Sequence, residues 1–210
     1  KVSEERIHNE IQLLLDANSF ELIFTLIKKT RLLKKWENSQ VIVEQNSPSL
    51  TIAKRFLSAS DLSSALRLVR LTQLLSDDGL EKLRFSKTIC NRCKLLRRWQ
   101  ERNDGCAFST LNEVDRLQLH MDLEQYLPSL ILALSNDHQI TWFKRWLDPD
   151  DPLFHPSSPL DGNMLQRNID IPPGFKLGLL ISYLRKERAF GRLVNRNDAL
   201  YKARDWFKHN

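Results

Sequence analysis

Apolar side chains recur every three or four residues along most of this 210-residue chain, and this spacing constrains its fold more than any other feature. Near the start, Ile7, Ile11 and Leu14 form one such stripe, and Ser3 before it is a good helix cap. The same spacing returns at 177–184. The pattern predicts an all-α fold, in which helix follows helix, with a multi-helix body and a smaller helical tail.

Loop-forming residues divide the chain into four predicted segments. The stretch DPDDPLFHPSSP contains four of the eight prolines and predicts a linker at 148–158. Helices are predicted at 1–38, a helical body at 39–147 and a helical tail at 159–210. Within the body, Val-Ile-Val at 41–43 leaves a short strand as an open alternative.

Positive charge is concentrated at the two ends of the chain. Residues 1–110 contain 19 basic and 13 acidic side chains, residues 161–210 contain 10 and 5, and residues 111–160 contain 3 and 8. This distribution favours a polyanion-binding surface that is shared by two structural units, although a basic composition also serves solubility alone.

The strongest charge signal lies in a helix that is predicted to start after Ser86 and to run through Arg102. Residues 82–102 contain eight basic side chains and a single acid, Glu101. Like charges at i and i+4 cost a few tenths of a kcal/mol, so their purpose here is more plausibly phosphate contact than a plain surface helix. The predicted contacts opposite the apolar stripe are Lys87, Lys94 and Arg98, with Asn91 beside them.

A second candidate surface lies in the tail, where Pro172 and Pro173 precede a helix with Gly174 at its start. Gly178 leaves room near that end, so a phosphate can approach the backbone N–H groups closely. An equally open alternative is that the glycines only end a loop and admit a close helix contact. The predicted RNA-binding residues of this surface are Gly174, Lys176, Gly178, Arg185, Arg188 and Arg192.

Catalytic and metal-binding patterns are missing from the sequence. Cys90, Cys93 and Cys106 are an odd number, which argues against a disulfide framework and for a reducing compartment, with cytoplasm as the default. The C-x-x-C pair lacks the further ligands of a structural zinc site, so core positions are the preferred interpretation. Paired carboxylates on a strand, a glycine-rich phosphate loop and an apolar run of 18 residues are absent. We therefore predict no catalytic residue, no bound metal and no membrane partner.

Several elements of the tail occur in an order that resembles a known family. Pro-Leu-Asp-Gly-x-x-Leu begins at Pro159, Pro-Pro-Gly-Phe-Lys-Leu-Gly follows at Pro172, and Arg-Asn-Asp-Ala-Leu begins at Arg196. Val-Ser-x-Glu-Arg-Ile begins at Val2. Together they resemble the C-terminal part of class II tRNA nucleotidyltransferases and bacterial poly(A) polymerases, which usually have a second proline where this chain has Phe175.

The resemblance implies a function and a parent protein. Residues 1–38 would be the end of the neck helices, and a catalytic head would precede residue 1 in the parent chain. That family adds nucleotides from CTP and ATP to tRNA 3′ ends with two Mg²⁺ ions, so the implied role here is to grip tRNA along its acceptor stem and elbow. Two alternatives stay open: a stand-alone α-helical RNA-binding or protein-interaction module without catalytic activity, and a helical scaffold for an acidic protein.

Overall fold

Helices dominate the part of the chain that the computed structural model describes, which is residues 2–38, 50–102 and 111–210, and no β-strand occurs there. The predicted all-α fold is therefore confirmed. The possible strand at 41–43 and Cys106 lie outside the described residues. Within the described ranges, no helix combines the length and the apolar character that crossing a membrane requires.

The chain divides into two compact units, of which unit 1 comprises 1–109 and 122–147 and unit 2 comprises 110–121 and 148–210. The helices of unit 1 are α1 (Glu4–Leu15), α2 (Phe20–Thr30), α3 (Leu50–Phe56), α4 (Ala59–Leu74), α5 (Asp77–Lys82), α6 (Lys87–Arg102), α8 (Leu127–Leu132) and α9 (Asn136–Leu147). The helices of unit 2 are α10 (Gly162–Ile169), α11 (Phe175–Ala189) and α12 (Arg196–His209). Helix α7 (Glu113–Leu123) belongs to unit 2 as far as Met121, and its last two residues belong to unit 1.

Unit 1 is built around α4, which packs against α1, α3, α6 and α8. Its buried apolar side chains are Leu62, Ala65, Leu68, Val69, Leu71 and Leu74. Arg70 is buried with them, and its guanidinium lies 4.6 Å from the centre of the Phe20 ring and donates a 2.6 Å hydrogen bond to the Leu15 carbonyl. Burial lowers the pKa of Arg70, while Glu21 and Asp16 act in the opposite direction. The interior of unit 1 thus includes one cation that is matched to backbone and aromatic partners.

The sequence predicts Leu22 and Leu26, at helical spacing, as one apolar face and Val114 and Met121 as core positions, and both predictions are wrong. Leu22 and Leu26 in α2 are exposed, and so are Val114 and Met121 in α7. The buried side chains of α2 are instead Phe20, Phe24 and Ile27. The buried leucines of α7 are instead Leu119 and Leu123. Each helix carries two apolar stripes at helical spacing, and the larger rings of α2 have more apolar area to remove from water.

The segment after Ser76 is a short helix, α5, and not the turn that Asp77-Asp78-Gly79 predicts. The Ser76 hydroxyl accepts a 3.0 Å hydrogen bond from the Gly79 N–H, which caps the helix. Gly79 is buried against Trp36, and a Cβ at this position would lie 2.1 Å from the Trp36 carbonyl oxygen. The turn-forming residues therefore start a helix here, because a serine cap is available and glycine permits a close backbone contact.

Unit 2 has its own apolar core around α11. The core consists of Leu160, Leu165, Ile171, Leu177, Leu180, Leu184, Leu193, Ala199 and Ala203. Asn195, followed three residues later by Asp198, predicts a capping box at the start of α12, and the structure confirms it. Residues 148–158, which the prolines predict to be a linker, belong to this compact unit and bury Leu153 and Phe154.

We predict that Gly79→Ala destabilises unit 1 by about 1–3 kcal/mol, because the new methyl group has no room beside the Trp36 carbonyl. Urea denaturation followed by far-UV circular dichroism measures the change. The matched control is Gly178→Ala, since no atom lies within 4 Å of the corresponding methyl position. That control is expected to stabilise unit 2 by about 0.5–1 kcal/mol, as Gly→Ala does in an exposed helix interior. Equal effects of the two substitutions would contradict the packing argument.

Candidate nucleic-acid interface

The α6 surface, which we define as Lys87, Asn91, Lys94 and Arg98, is exposed as predicted. Its orientation follows from the opposite face of the helix, which buries Cys93, Leu96 and Trp99. The predicted cap is also present, because the Ser86 hydroxyl accepts a 3.3 Å hydrogen bond from the Ile89 N–H. The sequence pattern was sufficient here because one face of the helix is strongly apolar and the other strongly basic.

The basic residues of α6 differ in their partners. Arg98 forms an ion pair with Asp122, whose carboxylate also accepts a 2.8 Å hydrogen bond from the Trp99 indole. Lys87 and Lys94 have no ion-pair partner in the part of the chain that the structure describes. The two lysines are therefore the residues of this surface that are most available to an anionic ligand, while Arg98 would have to share its charge with Asp122.

The start of α11 is open. Gly174 has a φ of 143°, which L side chains rarely adopt, and no side chain caps the helix there. A Cβ at Gly174 or at Gly178 would meet nothing within 4 Å. Lys176 is exposed, and its ammonium group lies 4.6 Å from the centre of the Phe207 ring. Uncapped N–H groups and a nearby cation form the kind of helix start that accepts an anion.

The continuous arginine face that the sequence predicts in the tail is not present. Arg188 is buried, and its guanidinium donates hydrogen bonds to the carbonyl oxygens of Leu193 at 2.7 Å and Asp150 at 2.9 Å. We therefore correct its assignment from RNA contact to structural residue. Arg185 is half-buried, and Arg192 lies beyond the end of α11. The spacing of Arg185, Arg188 and Arg192 does not produce one exposed face, because α11 ends at Ala189. The chain after the helix then turns back over Arg188.

Arg192 is held by a buried carboxylate. Glu187 is 7% exposed and receives hydrogen bonds from Arg192 at 2.9 Å and from Lys202 at 2.5 Å. Burial alone would raise the pKa of Glu187, but these two hydrogen bonds outweigh it and lower that pKa. The hydrogen bond to Glu187 correspondingly raises the pKa of Lys202. The cluster joins α11 to α12, so Arg192 has a structural role whether or not it also contacts RNA.

A basic hollow in unit 2 was missed by the sequence analysis. It encloses about 350 Å³ and is lined by Arg167, Asn168, Ile169, Asp170, Arg204, Phe207 and Lys208. We call it the Phe207 hollow. Arg167, Arg204 and Lys208 are exposed and form no ion pair within the described ranges. The i, i+4 pair on α12 was a usable signal, but only the fold brings Arg167 of α10 beside it.

Of the two described cysteines, Cys93 is a core residue of unit 1 and Cys90 is half-buried. Cys93 is fully buried, and burial raises its pKa to about 12. Burial and the nearby Glu81 raise the pKa of Cys90 as well. Both thiols are therefore protonated at neutral pH, whereas zinc binding requires thiolates. Within the described residues, no three His, Cys, Asp or Glu side chains are grouped in a way that could hold a metal ion.

No family model matches this chain, and comparisons with curated proteins and with solved structures found no match either. The resemblance to tRNA nucleotidyltransferases therefore stays a prediction that depends on the sequence elements quoted above.

We predict that Glu187→Gln lowers the stability of unit 2 at pH 7 by about 1–2 kcal/mol, because two hydrogen bonds to a charged acceptor are weakened and both partners are partly solvated. A carboxylate with a lowered pKa stabilises the fold fully above its ordinary pKa, and that contribution is lost as the pH falls through the folded value. The variant should therefore lose less stability than the native chain below about pH 4.

Thermal denaturation at a series of pH values measures this difference. The control is Glu10→Gln, since Glu10 is exposed and has no ion pair in the described part of the chain. Identical acid profiles for the native chain and Glu187→Gln would show that the cluster does not stabilise unit 2.

Proposed function

We propose that this chain binds RNA, with one basic surface in each of its two units. The observation that carries the proposal is the α6 surface, where Lys87 and Lys94 face solvent without an acidic partner in the described residues. A solvated helix face normally mixes charges of both signs, and the exposed side of α6 is dominated by cations. The Phe207 hollow supplies a second, separate cluster of cations.

The expected mode of recognition is contact with phosphates and with overall shape. The major groove of an RNA duplex is too deep and narrow for side chains to read its bases. Lysine and arginine side chains that project from rigid helices instead neutralise backbone phosphates and release counterions. Phe207 adds an aromatic side chain beside three cations, a combination that also suits an unpaired base.

The preferred parent is a class II tRNA nucleotidyltransferase or a bacterial poly(A) polymerase, a proposal supported by the order of sequence elements from Pro159 to Leu200. In that parent, a catalytic head would add CMP or AMP to the tRNA 3′ end in the cytoplasm. Mg²⁺, ATP and CTP would be bound by the head, and we assign none of them to residues of this chain. The contribution of this part would be to position the tRNA so that its 3′ end lies at the reacting centre.

A stand-alone interaction module is the second candidate, and one observation favours it. Four large apolar side chains of α1, α2 and the turn after α2 are at least 60% exposed, namely Leu13, Leu22, Leu26 and Leu32. Exposed apolar side chains are typical of protein contact surfaces where they cluster, and these four lie within residues 13–32 of the chain. This candidate predicts protein binding through that region and no preference for folded tRNA.

The RNA-binding proposal is tested by fluorescence anisotropy of the 210-residue chain with a full tRNA, an acceptor-stem hairpin and an unstructured RNA at several salt concentrations. We predict that Lys87→Glu combined with Lys94→Glu weakens tRNA binding about 10-fold or more. The slope of log affinity against log salt should fall by about 2, because two phosphate contacts are lost. Arg204→Glu tests the Phe207 hollow in the same way.

The matched control is Lys144→Glu, which reverses an exposed lysine on α9, outside both surfaces. It should leave the salt slope within error of the native value. If the double variant and this control lose the same affinity, binding reflects net charge alone. Equal binding of the three RNAs would reject a tRNA-specific grip.

A further inference from the structure

Helix α2 presents an apolar ridge to solvent that its own packing does not use. Leu22 and Leu26 lie about one helical turn apart, and their side chains are 76% and 60% exposed. The opposite side of the helix already buries Phe20, Phe24 and Ile27 in unit 1. The ridge is therefore apolar surface that folding leaves in water, and its burial remains available to a binding partner.

A third exposed leucine follows directly after the helix. Arg31 has a φ of 52° and ends α2 in a left-handed turn, in which the Leu32 N–H donates a 3.3 Å hydrogen bond to the Ile27 carbonyl. In helix ends of this kind, an apolar residue at the position of Leu32 frequently packs on the residue at the position of Ile27. Leu32 is 70% exposed instead. A third leucine thus faces solvent at this end of the helix.

Positive charge borders the leucines at the same end of α2. Lys28 is used within unit 1, since its ammonium group donates a 2.5 Å hydrogen bond to the Asn38 carbonyl and lies 3.7 Å from the Glu37 carboxylate. The neighbouring cations that are exposed and form no ion pair in the described ranges are Lys29, Arg31 and Lys34. Lys29 follows Leu26 by three residues, so it lies on the side of α2 that carries the ridge. Apolar and positive surface therefore meet there.

Charge and shape decide among the partners that such a surface can take. A second copy of the chain, related by a two-fold axis, would bring the same cations against one another, and their repulsion disfavours self-association. A helix that lies in a membrane surface presents a broad apolar face, whereas the ridge on α2 is one side chain wide. A nucleic acid neutralises the cations but leaves the leucines without an apolar partner. The surface calls for an occupant with both apolar and acidic side chains.

We propose that the ridge on α2 docks an amphipathic helix of a partner protein, in which acidic residues border the apolar stripe. Side chains four residues apart form a ridge that packs into the groove of a facing helix, so Leu22 and Leu26 insert into the partner's apolar stripe. Acidic residues that face Lys29 set the direction of the partner helix. The inference goes beyond RNA binding and holds whether or not the chain binds RNA.

Two labelled synthetic peptides test the docking surface directly. Each has about 20 residues, long enough to form a helix, with leucines at i, i+4 and i+7. Glutamates border the leucines in one peptide, and lysines replace them in the other. In fluorescence anisotropy, we expect the 210-residue chain to bind the acidic peptide about 10-fold or more tightly than the basic one.

Leu22→Ala combined with Leu26→Ala should weaken binding of the acidic peptide about 10-fold or more, because the apolar contact is lost. Both positions are exposed, so the far-UV circular dichroism should stay unchanged. Lys29→Glu should weaken binding of the acidic peptide about 3- to 10-fold and strengthen that of the basic one. The control for the leucine variant is Leu179→Ala, an exposed leucine on α11 of unit 2.

No binding of the acidic peptide, equal binding of the two peptides, or an unchanged affinity in the leucine variant would overturn the proposal. It also fails if Lys87→Glu combined with Lys94→Glu removes peptide binding and the leucine variant does not, since the peptide is then held by charge at the α6 surface.

Two further measurements examine the rival occupants. Phosphatidylserine–phosphatidylcholine vesicles that bind the native chain but not the leucine variant, while the peptides do not bind, would assign the ridge to a membrane and reject the proposal. A dimer in sedimentation equilibrium that dissociates in the leucine variant would assign it to a second copy and reject the proposal as well.

Binding of tRNA is measured on the same variants, and the leucine variant should bind tRNA as the native chain does. If the acidic peptide fails to bind while tRNA binds with a steep salt dependence, only the docking proposal is rejected. If the peptide binds as expected and tRNA does not, the docking proposal stands and the RNA-binding function fails.

Discussion

The burial of α4 is the constraint on which unit 1 depends. This helix packs against four others, and almost all of its apolar residues are removed from water. Its position fixes where α6 lies, and therefore which face of α6 carries Lys87 and Lys94 to the surface. Because the same helix supports the core and the basic surface, a change in its packing would disturb both.

The arginines of this protein have different structural roles, which their positive charge in the sequence does not reveal. Arg70 and Arg188 are buried, and each is compensated by backbone carbonyl groups. Arg192 is committed to Glu187, which anchors one helix of unit 2 to the next. Such cations stabilise the scaffold on which other charges are displayed. The cations available to a polyanion are those, such as Arg204, that form no ion pair in the described part of the chain.

In the proposed function, the residues that contact RNA are carried by rigid helices. Phosphate recognition needs only that cations be held at suitable spacings, and a helix does this with little loss of freedom on binding.

The sequence by itself determined the all-α fold, the caps at Ser3, Ser86 and Asn195, and the basic face of α6. These are local properties, because capping and helical periodicity involve residues within a few positions of one another. The sequence could not determine the helical state of the segment that contains Gly79, since that depends on the distant Trp36.

Only the tertiary structure decided which of two apolar stripes α2 buries, and that Arg188 turns inward. It also decided that Arg167 and Arg204 flank the same hollow. Each of these outcomes depends on contacts between residues that are far apart in the chain or in different helices. The energy of such contacts depends on which elements pack together, and a pattern within a single helix does not contain that information.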